Sequence, residues 1–180
     1  MQPRTATPAD FAAILALQEK NLVSKLTEEQ KKEGFVTTPF TVDQLQEILA
    51  MKGLFVIEEG AEIKGYTMAA GWDFFAQWPI FPHMLQRFNG KSFNAVMINA
   101  KNSFQYGPIC VDHSVRGSSA FPDLFARMKQ DMLQRFAVGT TFINKKNGRS
   151  FAAHTKKLGL QLFDEFSFNN NDYWVLAFTK

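Results

Sequence analysis

A buried strand, a turn of small residues and an amphipathic helix follow one another in the middle of this chain, and this succession most constrains its fold. The strand covers residues 106–111, the turn reads Arg116-Gly117-Ser118-Ser119, and the helix is expected over residues 120–136. Such a turn exposes backbone N–H groups at the positive end of a helix dipole, where anions and most often phosphates bind. The pattern therefore predicts an α/β protein with an anion site at this turn.

Length and composition favour a single domain with a substantial core. The chain has 180 residues, of which 46% are hydrophobic and 21% charged, so we expect residues 1–180 to form one domain. No apolar run of about 18 residues is present, and no basic segment precedes an apolar one at the start. We therefore expect a cytoplasmic protein that neither crosses nor binds a membrane.

The cysteine and histidine content bears on disulfides and metals. Cys110 is the only cysteine, which excludes an internal disulfide and fits a reducing compartment. The three histidines and this cysteine show no zinc-ligand spacing, so no metal is expected.

Positive charge is concentrated in the part of the chain that contains the turn. Residues 101–160 hold ten basic and three acidic side chains, although the net charge of the whole chain is only +3. A polyanionic ligand at the turn would explain this excess, and so would ordinary solvated lysines and arginines on two helices. A nucleic-acid partner would depend on this segment alone, without a recognised motif, and is not expected.

Capping signals divide the first fifty residues into helices. Thr7, Thr27 and Thr41 are each followed three residues later by an acidic or amide side chain, which is the pattern of a capping box. The third helix is expected to turn Val42 inward and to end at Gly53.

After residue 53 the hydrophobic period changes to that of strands. Residues 54–57 and 63–72 are predicted to form a hairpin around Gly60. A short strand at residues 140–143, a helix at 150–158 and a closing hairpin of residues 160–168 and 173–178 are expected later, whereas residues 78–104 give no clear pattern. This order predicts a mixed α/β structure around one sheet.

Three segments resemble motifs of the GNAT superfamily of acetyl-CoA-dependent N-acetyltransferases. They are residues 106–119, residues 63–69 with the sequence Ile63-Lys64-Gly65-Tyr66-Thr67-Met68-Ala69, and residues 144–160 ending in Lys156-Lys157-Leu158-Gly159-Leu160. The resemblance implies a GNAT-like α/β fold, in which a central, mostly antiparallel sheet contains one parallel strand pair and carries helices on both faces.

The resemblance also implies that acetyl-CoA is the co-substrate, with its pyrophosphate on the turn. The implied coenzyme-binding residues are Ile109, Cys110, Val111, Arg116, Gly117, Ser118, Ser119, Ala120 and Asn147. Two positions depart from the family pattern, because Ser119 stands where glycine is usual and Phe121 where glycine or alanine is usual. Phe121 either packs into the core or crowds the pyrophosphate, and Arg116 is expected to be an exposed loop residue.

Catalytic groups are sparse in this sequence. Acetyl transfer needs an oriented thioester, a polarised carbonyl and a neutral amine, and the carbonyl would be polarised by a backbone N–H of residues 109–111. Residues 104–111 contain no carboxylate that would act as a general base. Tyr106 and His154 are the catalytic candidates, and the alternative for each is a buried structural role.

Aromatic residues crowd the segment after residue 71, in a chain with nineteen Phe and three Trp. They would line an acceptor pocket, form a homodimer contact or thicken the core. The candidate acceptor-binding residues are Phe35, Trp72, Asp73 and Trp78. The implied function is acetyl transfer to an amine of a small molecule or to an exposed amino group, and the alternative is a catalytically weak or inactive GNAT-like module that binds coenzyme A or regulates.

Overall fold

The computed structural model describes all 180 residues. Its helices are α1 (Phe11–Asn21), α2 (Glu28–Lys31), α3 (Val42–Ala50), α4 (Trp72–Phe75), α5 (Ile80–Gln86), α6 (Ala120–Met132) and α7 (Gly148–Ala152). Its strands are β1 (Gln2–Thr5), β2 (Leu54–Glu59), β3 (Glu62–Ala70), β4 (Ser92–Phe93), β5 (Val96–Met97), β6 (Ser103–Val111), β7 (Val138–Asn144), β8 (Gln161–Phe168) and β9 (Asn171–Phe178).

The chain divides into two compact units. The first comprises Met1–Ala69 and Gly107–Met128, and the second comprises Ala70–Tyr106 and Lys129–Lys180. Strand β6 and helix α6 each contribute residues to both units.

The first unit contains an antiparallel meander. Strand β1 pairs with β2 from Gln2↔Glu58 to Thr5↔Phe55, and β2 pairs with β3 from Leu54↔Met68 to Glu59↔Glu62, with a bulge between Ile57 and Glu58. The second half of β6 lies next to β3, where the Asp112 N–H donates to the Lys64 carbonyl over 2.7 Å.

The second unit contains the one parallel pair. Strand β6 runs parallel to β7 from Ser103↔Val138 to Gln105↔Thr140, and β7 and β8 both pair antiparallel with β9. The seven strands of the sheet follow the hydrogen-bonded order β1-β2-β3-β6-β7-β9-β8. The expected α/β fold with a mostly antiparallel sheet and one parallel pair is therefore confirmed.

The capping boxes at Thr7 and Thr41 are confirmed. Asp10 Oδ2 accepts hydrogen bonds from the Thr7 N–H (2.7 Å) and hydroxyl (3.0 Å), and its carboxylate also takes two bonds from the Arg4 guanidinium. Arg4 reaches Glu58 as well, over 2.7 Å, so one arginine joins β1, β2 and the start of α1. Asp10 is buried, and the Arg4 hydrogen bonds hold the pKa of its carboxyl below the ordinary value.

Helix α3 differs from expectation at both of its ends. Val42 is 52% exposed rather than turned inward, since it occupies the first position of the helix while Leu45 and Ile48 are buried. The left-handed residue that ends the helix is Lys52, at φ 56°, not Gly53. Gly53 is required for another reason, because a Cβ there would lie 1.8 Å from the Ala69 carbonyl oxygen.

Three other boundaries also differ. Strand β3 ends at Ala70 rather than near Trp72, which instead begins the short helix α4. The Trp72 indole N–H donates to Ser103 Oγ of β6 over 3.0 Å. Helix α6 ends at Met132 rather than near residue 136. Strand β1 was not expected from the sequence. Its four residues include a proline, and they acquire a strand conformation only by pairing with β2.

No helix has both the length and the apolar content needed to cross a membrane.

Replacing Asp10 by Asn tests the Arg4 network. We expect the free energy of unfolding at neutral pH to fall by about 2 kcal/mol, since charge-assisted hydrogen bonds are lost. A carboxyl whose folded-state pKa is lowered stabilises the fold above its ordinary pKa, near 3.8, and loses that contribution as the pH falls through the folded value. The difference between wild type and variant should therefore shrink in acid, as measured by urea unfolding between pH 7 and pH 2. Asp43→Asn, an exposed change in α3, is the control and should cost only a few tenths of a kcal/mol.

Alanine substitutions at Gly53 and Gly148 test whether the close approach of Gly53 to the Ala69 carbonyl requires a glycine. Gly53→Ala should lower the free energy of unfolding by about 3 kcal/mol or more, since the clash is with backbone that other hydrogen bonds hold. Gly148→Ala places its Cβ in open space at the start of α7 and should be neutral or stabilise by up to about 1 kcal/mol. Equal melting temperatures of the two variants would contradict the steric argument.

Candidate functional site

The turn after β6 begins with a capped 3-10 segment at His113–Val115. Asp112 Oδ1 accepts hydrogen bonds from the Ser114 N–H (2.9 Å) and hydroxyl (2.7 Å). These two bonds are the main cause of the lowered pKa of Asp112. Asp112 is therefore the cap of this 3-10 segment.

The turn itself presents a limited number of free backbone donors. Ser118 Oγ donates to the Val115 carbonyl over 2.6 Å and accepts from the Ala120 N–H over 3.1 Å, so the Ala120 N–H already has a partner. The N–H groups of Gly117 and Ser119 make no hydrogen bond within the protein. Gly117 has φ 88°, and a Cβ there would meet nothing within 4 Å, so the backbone is open on this side. Two donors thus remain for an anion.

Arg116 is not the exposed loop residue that was expected. Only 19% of its side chain is accessible, Nη2 donates to Asn21 Oδ1 over 3.2 Å, and Nη1 lies 3.8 Å from Glu33 Oε2. The guanidinium is thereby fixed beside the turn by residues from α1 and from the segment after α2.

Two lysines that act on Asp112 were not predicted from the sequence. After the Ser114 bonds, the charges of Lys20 and Lys64 also lower the pKa of Asp112, and the three side chains line a pocket of about 510 Å³ in the first unit. They come from α1, β3 and the end of β6, which are distant in sequence. No local pattern would have identified them.

The predicted coenzyme-binding residues of the strand, Ile109, Cys110 and Val111, lie in the half of β6 that is next to β3. The Asp112 N–H donates to Lys64, so the alternation of a strand directs the N–H groups of Ile109 and Val111 towards the opposite edge. Cys110 is buried, and burial raises the pKa of its thiol to about 12. A nucleophilic thiolate is therefore not available at this position.

The second unit contains the two catalytic candidates, and the fold brings them into direct contact. The Tyr106 hydroxyl lies 2.9 Å from His154 Nε2, with Tyr106 wholly buried and His154 4% exposed. His154 Nδ1 lies 2.7 Å from the Ser150 carbonyl oxygen, which can only accept. The proton is accordingly on Nδ1, and the Tyr106 hydroxyl donates to Nε2.

A π-helical turn at Ala153–Lys157 positions His154. The helix expected over residues 150–158 is α-helical only to Ala152, and the Leu160 N–H then donates to the His154 carbonyl over 3.1 Å. Such turns widen a helix locally and often occur at functional sites. In this chain the π-helical turn contains His154, whose buried imidazole lies against Tyr106.

Burial keeps both members of this pair neutral. It raises the pKa of Tyr106 well above its ordinary value and lowers that of His154 to about 4, the Ser150 hydrogen bond acting against the second shift. A neutral Tyr–His pair orients the groups that it joins. It holds no mobile proton at pH 7 unless its surroundings change.

The remaining predicted residues are distributed over both units. Asn147 is buried in the second unit, where its Oδ1 caps α7 by accepting from the Ser150 N–H over 3.1 Å. Trp72 is buried, Asp73 lies exposed in the first turn of α4, and the Trp78 ring is 5.8 Å from that of Phe74. Phe35 belongs to the first unit, in the segment that precedes Val36. No cluster of three or more His, Cys, Asp or Glu side chains has the arrangement of a metal site.

Comparison with solved structures identifies the fold. A ribosomal-protein-alanine N-acetyltransferase from Brucella melitensis superimposes with a TM-score of 0.64 at 16% identity over 100% of both chains. A candidate acetyltransferase from Salmonella typhimurium, solved with its cofactor acetyl-CoA, gives 0.64 at 15% identity over 99% of this chain and 92% of that one. A GNAT-family acetyltransferase from Bacillus cereus gives 0.60 at 9% identity over 99% and 96%. The chain therefore has the GNAT fold.

Comparisons with family models and with curated proteins gave no match.

The buried neutral His154 should make the protein sensitive to acid. Its pKa is lower in the folded state than the ordinary 6.5, so the unfolded state binds the extra proton, and stability should fall as the pH drops from about 6.5 to about 4. The expected slope is about 1.4 kcal/mol per pH unit in the free energy of unfolding. Urea unfolding at pH 7, 6 and 5 measures it.

His154→Gln should abolish this slope, whatever its own effect on stability at pH 7. His113→Gln, on the exposed turn, is the matched control and should retain the slope because His154 is still present. If His154→Gln retained the slope, the loss of stability in acid would not come from protonation of His154.

Proposed function

We propose that this chain is an acetyltransferase that moves an acetyl group from acetyl-CoA to an amine of a small molecule or to an exposed amino group. The observation that carries the proposal is the strand-turn-helix of β6 and α6, in which Gly117 and Ser119 keep two backbone N–H groups available within a GNAT fold. The fold is shared over nearly the full length of both chains with a protein solved with acetyl-CoA, which supports the same ligand here.

The residues of the turn fit a pyrophosphate group. Gly117 leaves its side of the backbone open, and the dipole of the 13-residue helix α6 adds positive potential at its start. Arg116 would add a charge-assisted contact beside the two N–H groups, and the Ser118 hydroxyl would steady the turn through its own bonds. Asn147, the cap of α7, is proposed as a contact of the pantetheine arm instead.

The strand supplies donors for a thioester arm. The N–H groups of Ile109 and Val111 lie on the edge of β6 away from β3, where an extended ligand would bind as an added strand does. Bound acetyl-CoA would supply the activated acyl group. A backbone N–H from this edge would polarise the carbonyl oxygen, since fixed dipoles act strongly where water is excluded.

Attack by the acceptor amine requires that the amine lose a proton. Residues 104–111 carry no carboxylate, so the amine would lose its proton to water or to a base outside this strand. Tyr106 and His154 would act first by orienting the start of β6 as a neutral pair. A direct catalytic role for either one remains a prediction, which the pH profile of kcat would test.

The proposed acceptor is an amino group of a small molecule or of another protein. The Brucella protein is named for its action on an alanine of a ribosomal protein, which supports amino groups as acceptors in this fold. Phe35, Trp72, Asp73 and Trp78 remain candidates for binding the acceptor. Homodimer formation and a cytoplasmic location likewise remain proposals.

Binding of acetyl-CoA should stabilise the protein by mass action. At about 100 times its dissociation constant the expected gain is about 2.7 kcal/mol, which corresponds to a rise in Tm of roughly 5–10 °C for a chain of this size. Acetyl-pantetheine, which has the thioester arm without the phosphates, is the matched control ligand and should raise Tm much less. Release of free thiol from acetyl-CoA, measured against a panel of amines and amino-terminal peptides, tests the transfer itself.

Two results would contradict the proposal in different ways. A Tm that millimolar acetyl-CoA leaves unchanged would exclude coenzyme binding. A clear rise in Tm without amine-dependent thiol release would favour the alternative, a GNAT-like module that binds coenzyme A or regulates.

A further inference from the structure

Arg116 is held by two protein groups of different charge. Nη2 donates to the neutral Asn21 Oδ1 over 3.2 Å, while Nη1 faces the carboxylate of Glu33 at 3.8 Å. The first contact is a hydrogen bond, and the second is a loose ion pair with a half-exposed partner. The guanidinium is therefore positioned mainly by an amide that does not cancel its charge.

The orientation of Asn21 is determined by its other bonds. Its Nδ2 donates to the Leu17 carbonyl oxygen over 2.8 Å, so the amide can present only Oδ1 to Arg116. The backbone carbonyl oxygen of Asn21 accepts a hydrogen bond from the Val36 N–H over 2.8 Å. Asn21 is thus fixed from the helix side and from the chain that returns after α2.

The same returning chain carries Glu33. Leu22 and Val36 form an isolated parallel bridge, and the Val23 N–H donates to the Val36 carbonyl over 2.9 Å, which closes residues 22–36 into a loop. Glu33 lies in this loop three residues before Val36. A loop closed at both ends through Asn21, Leu22 and Val36 places its carboxylate next to Arg116.

We propose that Asn21 is a positioning residue that holds Arg116 beside the turn with its charge intact, and that Glu33 competes with a bound phosphate for the same guanidinium. This inference depends on the function proposed above, since it concerns the pyrophosphate of coenzyme A. A neutral acceptor leaves the positive charge of Arg116 for the ligand, whereas a carboxylate in the same place would neutralise it. Coenzyme binding would in this way be linked to the loop of residues 22–36.

The charges predict effects of opposite sign from two nearly isosteric changes. Asn21→Asp should weaken coenzyme A binding about tenfold, because the new carboxylate neutralises Arg116. Glu33→Gln should tighten binding about twofold to threefold, because it removes the competing charge. Both effects should diminish at high salt. In turnover assays the changes should appear in the KM for acetyl-CoA, with kcat largely retained.

The experiment is a double-mutant cycle with Arg116→Ala, measured by calorimetry with coenzyme A and with inorganic pyrophosphate. In the Arg116→Ala background, Asn21→Asp and Glu33→Gln should no longer alter affinity. Glu29→Gln, the same change on the exposed surface of α2, and Asn170→Asp, on the exposed hairpin turn, are charge-matched controls and should match the wild type. If Asn21→Asp does not fold, the double-mutant cycle of Glu33→Gln with Arg116→Ala still tests the competition. Asn21→Ala then tests the positioning, and it should weaken binding of coenzyme A less than tenfold.

The outcomes separate this inference from the proposed function. Unchanged affinity in folded Asn21→Asp, or effects that persist without Arg116, would overturn the inference while leaving acetyl transfer intact. Wild-type binding of coenzyme A without any turnover would overturn the proposed transfer, and the cycle would still decide the role of Asn21. Absence of binding of both coenzyme A and pyrophosphate would overturn both.

Discussion

The register of β6 against β3 is the constraint on which the candidate coenzyme site depends. The bond from the Asp112 N–H to the Lys64 carbonyl fixes where the strand stops, and the 3-10 segment, the turn and α6 follow directly from that residue. The close approach of the two strands requires Gly65, because a Cβ at this position would lie 2.9 Å from the Cys110 carbonyl oxygen. A shift of one residue would reverse the sides to which the Ile109 and Val111 N–H groups point.

The charged groups around Asp112 and the turn lie where solvent still screens them. Lys20 and Lys64 act on Asp112, Arg116 follows in the turn, and none of the four is fully buried. Partial exposure avoids the large cost of burying a charge, while nearby partners keep each group in place. The positive charges of Lys20, Lys64 and Arg116 therefore do not depend on burial of an unpaired cation.

The second unit uses neutral polar groups in its interior instead. Tyr106, His154 and Ser150 form a chain of hydrogen bonds that satisfies each buried polar atom without a net charge. Such a chain specifies one arrangement of the start of β6 and of the π-helical turn, because removing any member leaves a buried group without its partner. Orientation is therefore what these residues provide in the folded protein.

The sequence alone determined the features that involve residues close together in the chain. The capping boxes at Thr7 and Thr41, the turn at Gly60 and the succession of strand, turn and helix around Arg116 are local, since each depends on contacts within a few residues. The resemblance to a known family then gave the sheet with its one parallel pair. The predicted roles of the site residues could not be decided in this way.

Only the tertiary structure decided which side chains meet. The contact of Tyr106 with His154 joins residues 48 positions apart, and Arg116 meets Asn21 across 95 positions. Strand β1 exists because β2 offers it partners, and Val42 is exposed because of where α3 packs, not because of its hydrophobicity. Hydrophobic period and capping report local preference, whereas long-range pairs depend on strand register and helix packing, which no short segment of the chain encodes.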